Sequence, residues 1–137
     1  MNLKTPPPAP VHDWIPRSGH ALRHAGIHFD AIRIGGALGE QVAYELMQFT
    51  DFEAGPIVRE ATGARNLYFL LRAGDAAGHV WRDGARAIGR EGRSVAFVGV
   101  PALEGNTWPL DWRSPPTAEV PFVEAELLHE TVRCAVR

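Results

Sequence analysis

The sequence has little cysteine, no long apolar run and almost no excess of charge of either sign. Its 137 residues include one cysteine, Cys134, which excludes an internal disulfide framework and suits a reducing cytoplasm. No stretch approaches the roughly 20 apolar residues that cross a bilayer, so the sequence predicts a soluble, cytoplasmic protein without a membrane partner. The formal net charge of -2 excludes a strongly basic nucleic-acid binder but leaves room for a local basic patch.

What the sequence does contain is typical of one globular domain. Hydrophobic residues make up 45% of the chain and charged residues 22%, and a chain of this length builds one sizeable core. Residues 1–12 are rich in proline, which removes backbone donors and favours extended conformations. We therefore expect a flexible Pro-rich tail over 1–12 and a single domain over 13–137.

Both helical and extended segments are expected, and their order favours an α+β fold. The spacing of Leu38, Val42, Leu46 and Phe49 predicts an amphipathic helix. A short helix is expected over 18–25, and a last helix is expected from Pro121, with Cys134 on its buried face.

Strands and loops fill the centre of the chain. Strands are predicted by runs of β-branched and aromatic residues at 27–34, 57–60, 65–71, 85–88 and 94–100. A turn is expected to join the last two strands, and 105–116 is expected to form a loop. These elements predict a central, mostly antiparallel sheet flanked by the amphipathic helix and a C-terminal helix.

Three short motifs follow one another in the centre of the chain. Residues 62–69 form a glycine turn that leads into a strand containing Tyr-Phe, and 89–101 form a second glycine turn, a hydrophobic strand and a closing proline. Residues 105–116 combine tryptophan and proline before the last helix. With Phe29-Asp30 on an opening strand, these motifs resemble the bifunctional primase-polymerase domain of the archaeo-eukaryotic primase superfamily. The resemblance covers about 27–136 and implies a reduced primase-polymerase-like fold.

The resemblance also implies where metals and phosphates would bind, and this chain differs there. The family places two aspartates on the first strand, and this sequence has Asp30 but Ile32 at the partner position. The family's histidine falls on Asn66, which carries no positive charge, and its third carboxylate falls near Arg86. A cation in place of a metal ligand repels a divalent ion, so the resemblance implies a catalytically inactive relative that needs no metal or other cofactor.

The basic residues around these positions suggest that a binding function remains. Asp30 is expected to be a surface or strand-end carboxylate rather than a relic metal ligand. Arginine and amide side chains beside a glycine turn can bind anions, and the candidates around the former active-site groove are Arg65, Asn66, Arg86, Arg90 and Arg93. We therefore expect a binding or regulatory module whose ligand is a nucleotide, a nucleic acid or a partner protein.

Two other functions stay open. An active metal-dependent nucleotidyltransferase would need carboxylates recruited from elsewhere, such as Asp30 with Asp51, Glu53 or Asp111. A purely structural interaction protein would use the Pro-rich tail and the last helix as contact surfaces.

The amphipathic helix generates the first testable prediction. If the apolar face of this helix is buried, Leu46→Ala lowers the free energy of unfolding by about 2 to 5 kcal/mol, because it leaves a cavity in the core. Chemical denaturation measures this loss. A change within about 0.5 kcal/mol would place Leu46 at the surface and contradict the helix assignment.

Overall fold

The structure is a computed structural model that describes residues 11–81, 84–89 and 96–136. These ranges contain both helices and antiparallel strands, which confirms the α+β class. The helices are α1 (Gly36–Phe49) and α2 (Ala125–Ala135), with a short 3-10 helix at Asp75–Gly78. The strands are β1 (His20–His24), β2 (Asp30–Ile34), β3 (Ile57–Glu60), β4 (Leu67–Leu71), β5 (Ala85–Ile88), β6 (Phe97–Pro101) and β7 (Leu110–Ser114).

The strands form two separate antiparallel sheets. Five of them make the main sheet, in the order β5-β2-β4-β3-β7, so β2 and β4 have neighbours on both sides. The other two, β1 and β6, pair only with each other and form a two-stranded ribbon. The predicted central antiparallel sheet is therefore confirmed, and the separate ribbon was not foreseen.

The main sheet lies between the two helices on one face and the ribbon on the other. Alternate residues of each strand point to opposite faces, so Ile32, Ile34 and Phe69 share one face and pack with Leu46 and Leu128 of the helices. The residues between them point the other way. Of these, Ala31, Val58 and Leu70 pack with Val98 and Val100 of the ribbon. The fold thus buries two apolar clusters, one on each side of the sheet.

The amphipathic helix is confirmed as α1, and it packs unusually close to the sheet. Leu46 is 1% exposed, and Val42 and Ala43 are fully buried beside it. A methyl group added at Gly39 would stand 2.5 Å from the carbonyl oxygen of Ile34. Only glycine permits this approach of the helix to β2. In the part of the chain that the structure describes, neither helix combines the length and apolar character that a membrane crossing needs.

Two predictions about local structure at the ribbon are wrong. Residues 20–24 form strand β1 rather than a helix over 18–25, because each of them pairs with a residue of β6. The expected hairpin of the strands at 85–88 and 94–100 is absent as well. Strand β5 pairs with β2 and β6 pairs with β1, so the two belong to different sheets.

Three predictions in the last third of the chain are also corrected. Residues 110–114 are strand β7 inside the expected loop, held by pairing with β3 and by a hydrogen bond from Trp112 Nε1 to the Ala102 carbonyl. The last helix begins at Ala125 rather than at Pro121. Cys134 is exposed, because α2 buries Leu128, Thr131 and Val132 instead.

The close approach at Gly39 generates a prediction that opposes helix propensity. Alanine is favoured over glycine inside a helix by about 1 kcal/mol, yet Gly39→Ala should lower stability by about 1 to 3 kcal/mol because its methyl group meets the backbone of β2. The matched control is Gly78→Ala, where an added methyl group meets nothing within 4 Å, and its change should stay within about 0.5 kcal/mol. Thermal denaturation of both variants decides. A Gly39→Ala protein as stable as the unmodified one would refute the close packing.

Candidate functional site

The antiparallel register of β2 and β4 decides which of the predicted site residues meet. Asp30 pairs with Leu71 at one end of the two strands, and Ile34 pairs with Leu67 at the other. Asn66 directly precedes Leu67, so Asp30 and Asn66 stand at opposite ends of the sheet, roughly 17 Å apart along the strands. The structure therefore does not bring Asp30 together with Arg65 and Asn66.

Asp30 lies at a strand end, as expected, but it is buried rather than exposed. Its side chain is 5% exposed, and Oδ2 accepts hydrogen bonds from the backbone N–H of Gly74 at 2.9 Å and of Ala76 at 3.0 Å. The Oδ1 atom faces Gly89, where an added methyl group would stand 3.1 Å away. These hydrogen bonds hold Gly74, which precedes the short 3-10 helix, and Ala76, which lies within it, against the start of β2.

Three polar residues lie side by side on β5, β2 and β4, towards the Ile34 end of these strands, and we call them the polar row. Arg33 of β2 pairs with Arg86 of β5 on one side and with Tyr68 of β4 on the other. Side chains directly opposite each other on neighbouring strands stand about 5 Å apart at their Cβ atoms. No hydrogen bond or ion pair within the described ranges reaches either guanidinium. The two positive charges thus lie side by side on neighbouring strands.

Tyr68 interacts with three polar neighbours, Glu60, Asn66 and Arg33. Its side chain is half-buried, and burial raises the pKa of its hydroxyl above the ordinary tyrosine value. The Glu60 carboxylate raises this pKa further, whereas hydrogen bonding with Asn66 and the charge of Arg33 lower it. Glu60 is also fixed by the backbone of Asn66, whose N–H lies 3.1 Å from its Oε1. Tyr68 therefore keeps its proton at neutral pH and can donate a hydrogen bond.

The polar row begins where the ribbon stops covering the sheet. On the ribbon side of the sheet, Ala31 and Leu70 are fully buried near the Asp30 end. Two residues further along the same strands, Arg33 and Tyr68 are half-buried, and Arg86 on the edge strand is exposed. We call this uncovered part the open end of the sheet. Side chains there can reach both water and a ligand.

Arg65 lies near the open end but on the helix side. It occupies a left-handed turn with φ of 52° and lines a cavity of about 550 Å³ beside the first turn of α1. The cavity wall also contains an ion-pair network in which Arg59 binds Asp111 at 2.8 Å and Glu40 at 3.4 Å. The hydrogen bonds that Arg59 donates to the Asp111 carboxylate raise the pKa of Arg59, which therefore remains a cation. In this network the carboxylates already neutralise the arginines.

The remaining predicted residues divide between one cavity and the part outside the structure. Arg86 borders a cavity of about 520 Å³ at the outer edge of β5, and Asp30 lines the same cavity. His79 and Trp81 complete its polar lining, and Trp81 Nε1 donates a hydrogen bond to the Ala76 carbonyl. Arg90 and Arg93 lie outside the described residues.

The carboxylates considered for an active nucleotidyltransferase do not share one site. Asp111 is bound to Arg59, Asp30 is bound to backbone N–H groups, and Asp51 and Glu53 follow the end of α1. Across the described ranges, no three His, Cys, Asp or Glu side chains are grouped so that they could hold a metal ion.

Sequence reasoning missed Arg33 and Tyr68. The signal was present, because Arg33 stands between two apolar residues in a strand and therefore points to the face opposite Ile32 and Ile34. Which strands lie beside β2, and hence that Arg86 faces Arg33, follows only from the sheet order.

The buried Asp30 generates a prediction about stability. Asp30→Ala leaves the backbone N–H groups of Gly74 and of buried Ala76 without their acceptor and should lower the free energy of unfolding by about 1 to 3 kcal/mol. Asp30→Asn is the matched control, since its amide oxygen can still accept both hydrogen bonds, and it should cost less. Denaturant titration of both proteins provides the measurement. Equal stability of Asp30→Ala and the unmodified chain would show that the two hydrogen bonds contribute nothing.

Comparison of the chain with protein-family models, with curated proteins and with solved structures finds no significant match. The likeness to primase-polymerase domains therefore rests on the short sequence motifs.

Proposed function

We propose that this protein is a catalytically inactive binding module that holds a phosphate-bearing ligand, a nucleotide or a short single strand, on the open end of its sheet. The observation that carries the proposal is the pairing of Arg33 with Arg86. Like charges directly opposite each other on neighbouring strands destabilise a sheet. A sheet that places two arginines opposite each other gains from an anion that binds between them.

Phosphate is the anion whose chemistry suits this position. A guanidinium presents planar pairs of N–H donors that match two phosphate oxygens at once, and two adjacent guanidinium groups match the charge of one phosphate group. The neutral hydroxyl of Tyr68, which hydrogen-bonds with Glu60 and Asn66, lies in the same row. Its half-buried ring also offers an aromatic surface beside the two cations.

Neighbouring groups limit how strongly a polyanion is attracted. The carboxylate of Glu60 lies close to Tyr68, and the chain as a whole has a net charge of -2. We therefore expect modest affinity that falls as salt rises and shows no sequence preference. Binding should need no metal, because the arginines themselves supply the positive charge.

The resemblance to primase-polymerase domains supports a nucleotide as the source of the phosphate. It also supports the absence of catalysis, since Ile32 and Arg86 stand where the family has carboxylates and Asn66 stands where it has histidine. Ile32 is fully buried on the helix side of the sheet and therefore contacts no ligand on the polar row.

Calorimetry at low salt tests the proposal with ATP and with a short single-stranded oligonucleotide as ligands. Arg86→Glu should abolish binding of both. The same variant turns a like-charge pair into an opposite-charge pair and should raise stability by about 0.2 to 1 kcal/mol. This opposite movement of affinity and stability separates lost binding from lost folding. Arg17→Glu is the matched control, because Arg17 is exposed before β1 and outside the polar row.

Two results would contradict the proposal. The first is failure of the unmodified protein to bind either ligand at low salt, or equal binding by the Arg86→Glu protein. The second is template-dependent nucleotide incorporation with magnesium or manganese, which would contradict catalytic inactivity.

A further inference from the structure

A groove between the two helices exposes aromatic side chains on the side of the molecule opposite the polar row. Tyr44 and Phe49 of α1 are 59% and 75% exposed, and Leu127 of α2 lies half-buried across from them. The cavity between the helices measures about 830 Å³. Its complete lining is Tyr44, Glu45, Gln48, Phe49, Leu127, Glu130, Thr131 and Cys134.

The turn after α1 adds a third exposed aromatic residue in a strained conformation. Asp51 and Phe52 have φ values of 54° and 65°, a region that a bulky side chain adopts only when the surroundings enforce it. The Phe52 side chain is nevertheless 63% exposed, so burial of its ring does not offset this strain. The strained turn therefore leaves an aromatic ring exposed to water.

The helix layer is strongly acidic, which the net charge of the whole chain conceals. Residues 36–53 contain four carboxylates, Glu40, Glu45, Asp51 and Glu53, and no lysine or arginine. Residues 124–136 contain three carboxylates and one arginine. This leaves thirteen of the 14 basic residues and nine of the 16 acidic ones for the rest of the chain. Only Glu40 of the α1 carboxylates is neutralised by arginines of the sheet within the described ranges.

We propose that this groove docks an amphipathic helix of a partner protein, with an apolar face and flanking lysine or arginine residues. A helix laid between two packed helices inserts its apolar side chains beside Phe49, Tyr44 and Leu127. Its basic flanks meet Glu45 and the carboxylates that follow α1. Apolar burial supplies affinity, and the complementary charges determine which helices bind.

Charge also argues against two other occupants. In a symmetric dimer the same patch meets itself, so a second copy would bring the acidic rims together. The Pro-rich tail contains a single lysine, Lys4, and its four prolines oppose a helix. The groove lies on the helix side of the sheet, so the docking proposal stands independently of ligand binding at the polar row.

Fluorescence anisotropy with two model peptides tests the docking of a basic helix. The probe is a labelled amphipathic helical peptide of about 18 residues, with leucines along one face and lysines beside them. In the control peptide, every lysine is replaced by glutamate. We expect the lysine peptide to bind and the glutamate peptide to bind at least about tenfold more weakly. Amide NMR shifts caused by the lysine peptide should map to α1 and α2.

Protein variants locate the binding to the groove. Phe49→Ala should weaken binding of the lysine peptide by about tenfold, since exposed aromatic side chains dominate such interfaces. Glu45→Lys should weaken it through charge alone. Phe97→Ala is the matched control, because Phe97 is also an exposed phenylalanine, 51% exposed, but lies on the ribbon. All three positions are at least partly exposed, and thermal melts verify that each variant folds.

Four outcomes would overturn the proposal. The lysine peptide fails to bind, or it binds equally to the Phe49→Ala protein and the unmodified one. Its NMR shifts map to the ribbon or to the polar row. Sedimentation shows a dimer that Phe49→Ala dissociates, which would make a second copy the occupant.

Discussion

The β1–β6 ribbon covers only part of the main sheet. This partial cover decides which residues on that face are buried and which reach the surface. Where the ribbon lies over β2 and β4, the sheet residues are apolar and fully buried, as at Ala31 and Leu70. Where the ribbon ends, the same strands carry Arg33 and Tyr68. Further along these strands, Arg33 and Tyr68 are half-buried and Arg86 is exposed, so this part of the face contacts water. The polar residues are placed at that end, and a ligand can reach them there.

The molecule also separates its charges between two surfaces. The helix layer carries most of its charge as carboxylates, whereas the sheet side presents Arg33 and Arg86 together. Opposite faces of a small domain can therefore attract partners of opposite charge despite a net charge near zero. The two proposals place a phosphate-bearing ligand on one of these faces and a basic helix on the other.

Asp30 stabilises the fold, although the resemblance in sequence aligns it with a metal ligand. A motif comparison places it where a metal ligand would stand, and its bonding partners are the backbone N–H groups of Gly74 and Ala76. Both hydrogen bonds fall on one oxygen, and they fix the loop after β4 against the start of β2. Buried polar groups need such partners whatever their ancestry, because an unpaired carboxylate in a protein interior is strongly unfavourable. Contacts, rather than the position in a motif, therefore decide what such a residue does.

The elements whose hydrophobic pattern is complete within a few residues could be predicted from the sequence alone. The spacing of Val42 and Leu46 was enough to predict α1, and the apolar runs at 57–60 and 85–88 were enough to predict two strands. Only the tertiary structure decided that 20–24 is a strand, that β7 exists, and that Arg33 faces Arg86, because each depends on a partner distant along the chain. The exposure of Cys134 was decided in the same way, by which side of α2 packs against α1 and the sheet. Helical and strand periodicities act over neighbouring residues, whereas pairing and burial are set by segments that meet only after the chain has folded.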